Sequence, residues 1–157
     1  MNKLKDIGLQ KLGITTNGIA LKRKLPQLKL NGLDQINISL DTLDPLKFQL
    51  LTRRPGHHLV MESIESALDL GFESVKLNVV VINKVNDGEI LDFVELTKHL
   101  PIYIRFIEYM PFDGNKWNTE KFLSYSDMLK LIGQRHSVIE KCMDEPNDTS
   151  KVSFLVT

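Results

Sequence analysis

Arg105, Glu108 and Met110 are delivered by an apolar run, 102–117, into a loop turned by Pro111 and Gly114. Three earlier strand-like runs carry comparable chemistry: 12–17 holds Thr15-Thr16-Asn17-Gly18, 34–43 holds Ser39 and Asp41, and 75–81 holds Lys76 and Asn78. A parallel strand buried on both faces is apolar throughout, so hydroxyls, amides and charges recurring at four strand ends point to one shared ligand. Arginine and lysine suit an anion such as a phosphate. A hydroxyl beside the first amides of a helix suits the same partner.

Each motif also has a plainer reading. Asn17-Gly18 is a common turn pair, and threonine or asparagine commonly caps a helix; Ser39-Leu40-Asp41-Thr42 offers N-cap residues of the same kind. Lys76 within an apolar strand must be paired, reach water or meet a ligand anion. Its ammonium, if desolvated, could alternatively serve as a Schiff-base amine, which leaves a barrel lyase as a further reading. Arg53-Arg54-Pro55-Gly56-His57-His58 reads as a solvated basic loop, and its adjacent histidines lack the i, i+4 spacing of a helical zinc pair. No Gly-x-Gly-x-x-Gly, Gly-x-x-x-x-Gly-Lys-Ser/Thr or Gly-x-Ser-x-Gly occurs, so the commonest nucleotide and hydrolase signatures are missing.

The elements that must position these residues alternate. The β-branched runs at 13–16, 36–40, 75–81 and 102–107 have strand length and composition. Between them, apolar residues return at helical spacing: Ile19 to Leu30, stopped by Gly32 and kinked or split by Pro26; Pro45 to Thr52, broken at Arg54-Pro55-Gly56; His58 to Leu70, stopped by Gly71; and a helix holding Ile90, Leu91 and Val94. Ser124 to Ile132 follows the last strand, with Ser124 or Ser126 as N-cap. Four βα repeats predict an α/β fold with a parallel sheet. Val152 to Val156 reads as a strand without a partner.

Strand alternation narrows the class further. Asn37, Ser39 and Asp41 share one face against Ile36, Ile38 and Leu40, and Lys76 and Asn78 oppose Val75, Leu77 and Val79. A sheet with one polar face fits a (βα) barrel whose interior or mouth binds something, rather than an open sheet covered on both sides. In the fourth strand Arg105 and Glu108 point opposite ways, so alternation alone leaves open which of them joins the polar face.

Composition sets the outer bounds. The chain has 157 residues, 42% hydrophobic and 25% charged, with 20 basic and 20 acidic residues. Those values are ordinary for a globular domain. Balanced charge offers no global attraction to nucleic acid or to an anionic membrane, so neither is an expected partner. The single cysteine, Cys142, excludes an intrachain disulfide and any all-cysteine metal or iron–sulfur site built from this chain alone. No apolar run approaches the ~20 residues of a membrane span, and the first residues resemble neither a secretory signal nor a transit peptide, so the chain reads as soluble and intracellular.

In order and with family-like spacing, Gly13-Ile14-Thr15-Thr16-Asn17-Gly18, Ile36-Asn37-Ile38-Ser39-Leu40-Asp41-Thr42, Val75-Lys76-Leu77-Asn78 and Arg105-Phe106-Ile107-Glu108-Tyr109-Met110 resemble the GTP 3′,8-cyclase family of radical S-adenosylmethionine enzymes. That family is also called molybdenum cofactor biosynthesis protein A. The likeness runs from about residue 10 to about 136, and Met110-Pro-Phe-Asp-Gly-Asn-Lys-Trp117 resembles its eukaryotic branch.

The resemblance implies a six-stranded partial (βα) barrel of which the four strands here are the third to sixth. It divides the chain into 1–140, a partial barrel, and 141–157, a truncated C-terminal segment. It implies conversion of GTP to 3′,8-cyclo-7,8-dihydro-GTP with S-adenosylmethionine and [4Fe-4S] clusters, in the mitochondrial matrix of eukaryotes. Carried over by position, Ser39 and Met110 would contact S-adenosylmethionine, while Thr15, Lys76 and Arg105 would bind GTP. The family's Cys-x-x-x-Cys-x-x-Cys and Gly-Gly-Glu-Pro segments have no counterpart here, and Cys142 lacks the context of its second cluster. The expectation is a polypeptide inactive by itself, prone to self-association through open barrel edges. The alternative is a catalytically dead GTP-binding or interaction module.

Overall fold

The computed structural model describes residues 6–114, 117–136, 139–141 and 153–155. Four parallel strands, β1 (Gly13–Thr16), β2 (Gln35–Ser39), β3 (Ser74–Val81) and β4 (Tyr103–Glu108), form one sheet in the order β1-β2-β3-β4. Between them run α1 (Leu25–Leu30), α2 (Pro45–Thr52), α3 (His57–Asp69) and α4 (Ile90–His99), and α5 (Tyr125–Arg135) follows β4. Strand order that follows chain order, with crossover helices on one side, is the winding of a (βα) barrel, and β1 and β4 are the two edges of this open part of one.

The helix-facing side of the sheet is the core. Ile36, Ile38 and Leu40 from the β2 segment and Val75, Leu77, Val79 and Val81 from β3 are buried against Leu21, Leu25, Phe48, Val60, Ile64, Phe93 and Met128. The other side of β2 and β3 alternates half-buried or exposed with each buried neighbour. The two-residue period read from the sequence is therefore the period of the sheet, and the face it marks as polar is uncovered by helices.

Three helices begin and end close to the expected residues, for local reasons. Asp44 caps α2 by accepting from the Leu46 and Lys47 amides, and Ser124 caps α5 by accepting from Asp127 N–H. Gly32, at φ 85°, and Gly71, at φ 70°, sit just past α1 and α3 in the left-handed conformation that glycine adopts without strain. The first crossover differs from expectation. Lys22–Lys24 forms a 3-10 turn and α1 is only six residues long, with Pro26 in its first turn, where a missing N–H costs no helical bond. The expected helix of about 12 residues is thus split at this point, and Pro26 starts the shorter α-helical part.

The strand at the end of the chain also differs. Ser153–Leu155 (β6) pairs antiparallel with Ile139–Lys141 (β5), so this expected orphan has a partner. Cys142 lies outside the described residues.

Gly18 turns β1 into the first crossover at φ 76°. A Cβ there would stand 3.0 Å from Val60 Cγ1 and 3.1 Å from Ile38 Cγ2. Gly18→Ala therefore combines left-handed backbone strain with a crowded core, and should cost about 1–3 kcal/mol in chemical denaturation. A loss within error would show that the turn relaxes freely.

Candidate functional site

The polar face is built in rows by the strand register. Thr15 of β1 pairs with Asn37 of β2, Asn37 with Lys76 of β3, and Lys76 with Tyr103 of β4. The next row on this face is Ser39, Asn78 and Arg105. With strands about 4.8 Å apart and a rise of about 3.3 Å per residue, Lys76 and Arg105 are diagonal neighbours roughly 8 Å apart at the backbone. Thr15, Ser39, Lys76 and Arg105, drawn from four separate strands, are thus brought to one face. The register also answers what alternation left open. Arg105 joins the polar face, whereas Glu108 points to the helices and accepts from Tyr125 N–H at 2.7 Å, anchoring the start of α5.

Their surroundings favour a charged or polar ligand. The Lys76 ammonium lies 5.9 Å from the centre of the Tyr103 ring, and among the described residues it has no carboxylate partner. Asn37 Nδ2 donates to Thr15 Oγ1 at 3.4 Å, which leaves the exposed threonine hydroxyl able to donate outward. Among the described residues, Asn78 Oδ1 is buried without a hydrogen-bond partner. An acceptor in that state carries a desolvation cost of about 1–3 kcal/mol that a ligand donor would relieve. The turn residues next to Thr15 behave as the plainer reading has it: Thr16 Oγ1 accepts from Gly18 N–H and Asn17 Oδ1 from Ile19 N–H, both at 3.2 Å.

Met110 lies apart from the rows, in the loop past β4, and is 57% exposed. It borders a cavity of about 260 Å³ at the C-terminal ends of β3 and β4, lined also by Asp41, Val80, Ile82, Tyr109 and Phe112. Trp117 holds this loop back by donating from Nε1 to the Tyr109 carbonyl at 2.8 Å. The cavity walls are mostly apolar, and Asp41 and Glu108 are the acidic residues among them.

Asp41 and Asn78, which alternation had put on the polar face, were given no ligand role from the sequence. The signal lay in their shared parity with Ser39 and Lys76. Asp41 does not cap a helix, a role that falls to Asp44. Its Oδ1 accepts from Val80 N–H at 2.9 Å and so closes the end of the β2–β3 ladder. Burial raises the Asp41 carboxyl above its ordinary 3.8, with the Val80 bond acting against the rise. A raised folded-state value means that folding favours the protonated form, so this contribution is full below pH 3.8 and is lost as pH rises through the folded value. Asp41→Asn keeps an acceptor for Val80 and removes the ionisation. Its melting temperature should exceed the parent's at pH 7 and match it near pH 3; a variant less stable at pH 7 would show that the charge itself is needed.

Comparison with known proteins agrees with this fold. The model of the Radical SAM superfamily matches residues 1–97. The chain is 54% identical over 144 residues to "GTP 3′,8-cyclase, mitochondrial" of Arabidopsis thaliana, covering 92% of this chain and 37% of that protein. It is 55% identical to molybdenum cofactor biosynthesis protein 1 of Bos taurus, covering 92% and 23%, and 40% identical to GTP 3′,8-cyclase of Peptoclostridium acidaminophilum, covering 92% and 45%. The chain thus spans less than half the length of each. A solved structure of TYW1 with a lysine-pyruvate adduct bound superposes with a TM-score of 0.59 at 20% identity, over 91% of this chain and 46% of that one, a likeness of fold alone. With the superfamily match running over more than half of the residues, the chain belongs to the radical SAM superfamily.

Proposed function

We propose that this chain is a segment of a GTP 3′,8-cyclase, supplying the third to sixth strands of its barrel to the conversion of GTP to 3′,8-cyclo-7,8-dihydro-GTP in molybdenum cofactor biosynthesis. The observation that carries this reading is the register that sets Thr15, Lys76 and Arg105 on one uncovered face. Two cations at diagonal positions on neighbouring strands suit a polyphosphate, because anions in a partly enclosed site need paired cations. The Thr15 hydroxyl, at the β1 edge of the same row, suits the ribose or phosphates of that nucleotide. The names of the relatives support GTP as substrate, and the word mitochondrial in one of them supports a mitochondrial setting.

The residues also fit S-adenosylmethionine. Ser39 is exposed at the end of β2, Asn78 offers an unpartnered acceptor beside it, and the cavity at Met110 has the apolar walls and the size to take a nucleobase. When bound and reduced, that cofactor supplies the radical that starts the reaction. Ser39 would orient it, Met110 would pack on its base, and the apolar cavity walls would exclude water. An iron–sulfur cluster does not fit this chain's own residues: it has one cysteine, and among the described residues no three His, Cys, Asp or Glu side chains gather. That single cysteine favours a second reading, in which this polypeptide binds GTP without catalysis.

Calorimetric titration of GTP into the purified chain at modest salt tests the site. Saturable binding is the expected result. Its absence from a chain shown to be folded would mean that the face is no GTP site without further strands.

A further inference from the structure

Side chains, not a continuing ladder, join the C-terminal ends of β2 and β3. Main-chain pairing runs to Leu40, whose N–H donates to the Asn78 carbonyl at 3.0 Å. Past that point Asn86, which is 2% exposed, takes over: its Nδ2 donates to the Asp41 carbonyl at 2.7 Å and to the Val80 carbonyl at 2.8 Å, and its Oδ1 accepts from Ile82 N–H at 2.7 Å. Three residues later Glu89 grips the next part of the same segment. Its carboxylate accepts from the fully buried Thr42 hydroxyl at 2.7 Å, from Leu43 N–H at 2.7 Å and from Lys47 Nζ at 2.6 Å. Burial alone would raise the Glu89 carboxyl, but the bonds from Lys47, Thr42 and Leu43 outweigh it and hold the group below its ordinary value, so it is anionic near neutral pH.

These bonds are not spread through the core. Three of them act on Asp41 to Leu43, the segment that continues from Ser39 and carries the Asp41 carboxylate into the cavity beside Met110, while the others tie Asn86 to Val80 and Ile82 and Glu89 to Lys47. Neither Asn86 nor Glu89 lines that cavity. The Asn86 and Thr42 side chains in these bonds are buried and the Glu89 carboxylate is held by three partners, which is what holding a ligand contact within a fraction of an ångström requires.

We propose that Asn86 and Glu89 are positioning residues that clamp the strand end Asp41–Leu43, so that Ser39 and Asp41 face a nucleoside whose base occupies the cavity at Met110. The inference rests on the ligand reading proposed above and adds the device that shapes the site. Thr42 is the clamp's buried link to Glu89, and its hydroxyl also accepts from Asp44 N–H at 3.1 Å.

Two measurements on the whole chain test this. In amide hydrogen exchange, Glu89→Gln should speed exchange at Leu43, and Asn86→Ser at Ile82, by tenfold or more, with the Ile36 and Val75 amides nearly unchanged. In titrations with S-adenosylhomocysteine, followed by the fluorescence of the lone Trp117, affinity should fall tenfold or more in Glu89→Gln and in the near-isosteric Thr42→Val. Thr42→Ser, which keeps the hydroxyl, should bind like the parent although it also trims a buried methyl. Unchanged exchange at Leu43 and Ile82, or uniform acceleration across the sheet, would overturn the clamp. So would affinities that follow melting temperature through the series, with Thr42→Ser as weak as Thr42→Val. A parent chain that binds no probe would instead overturn the ligand face, and the exchange data would still decide whether the two side chains hold the strand end.

Discussion

Leu77→Ala is expected to lower the stability of this chain by about 2–5 kcal/mol, the cost of deleting a fully buried leucine and leaving a cavity. Leu77 has no exposed surface and stands in β3, paired with Ile38 of β2 on one side and Ile104 of β4 on the other. Its side chain points into the layer filled from the helices by residues such as Ile64 and Phe93. A small domain has only about 5–15 kcal/mol in total, so this one truncation should remove a large part of it. Urea denaturation followed by circular dichroism measures the loss. A change under about 1 kcal/mol would mean that the helix-facing side of β3 is loosely packed, contrary to the burial seen along the whole strand.

Lys76→Ala, one residue away on the opposite face, should act in the reverse sense. GTP affinity is expected to fall tenfold or more, about 1.4 kcal/mol, while stability stays within about 0.5 kcal/mol because the side chain makes no ion pair among the described residues and lies outside the core. Calorimetry of parent and variant, with a denaturation curve for each, separates the two effects. Lys76→Met is the control for the aliphatic stem, since a long side chain also contributes packing over the Tyr103 ring. Equal GTP affinity in parent and alanine variant would remove Lys76 from the site and leave Arg105 as the cation on this face. An affinity lost in step with stability would make Lys76 structural.

The contrast between these neighbours was legible in the sequence, because a strand's side chains alternate whatever surrounds it. Runs such as Val75-Lys76-Leu77-Asn78-Val79 therefore carried both the element and its faces. The four βα repeats, the turn at Asn17-Gly18, the stops at Gly32 and Gly71 and the cap at Ser124 were legible for a similar reason: each depends on interactions within a few residues. The short first helix fell within the same local rules, and Pro26 could have been placed in its first turn from the start.

What depends on register or on long-range contacts was not legible. Arg105 and Glu108 are three residues apart, so alternation separates them without saying which shares a face with Lys76; only the pairing of Asn78 with Arg105 assigns the arginine to the polar face. The antiparallel pairing of Ser153–Leu155 with Ile139–Lys141 likewise has no local signature. Asn86 reaches Asp41 across 45 residues and Glu89 reaches Thr42 across 47. By itself, then, the sequence determined the elements and the polar face with most of the residues on it, because these follow from backbone periods and local caps. The tertiary structure alone decided which cation joins that face, where Met110 and Asp41 share a cavity, and what holds the strand end in place. Those depend on side chains brought together from far apart in the chain, where no repeat or spacing records the contact.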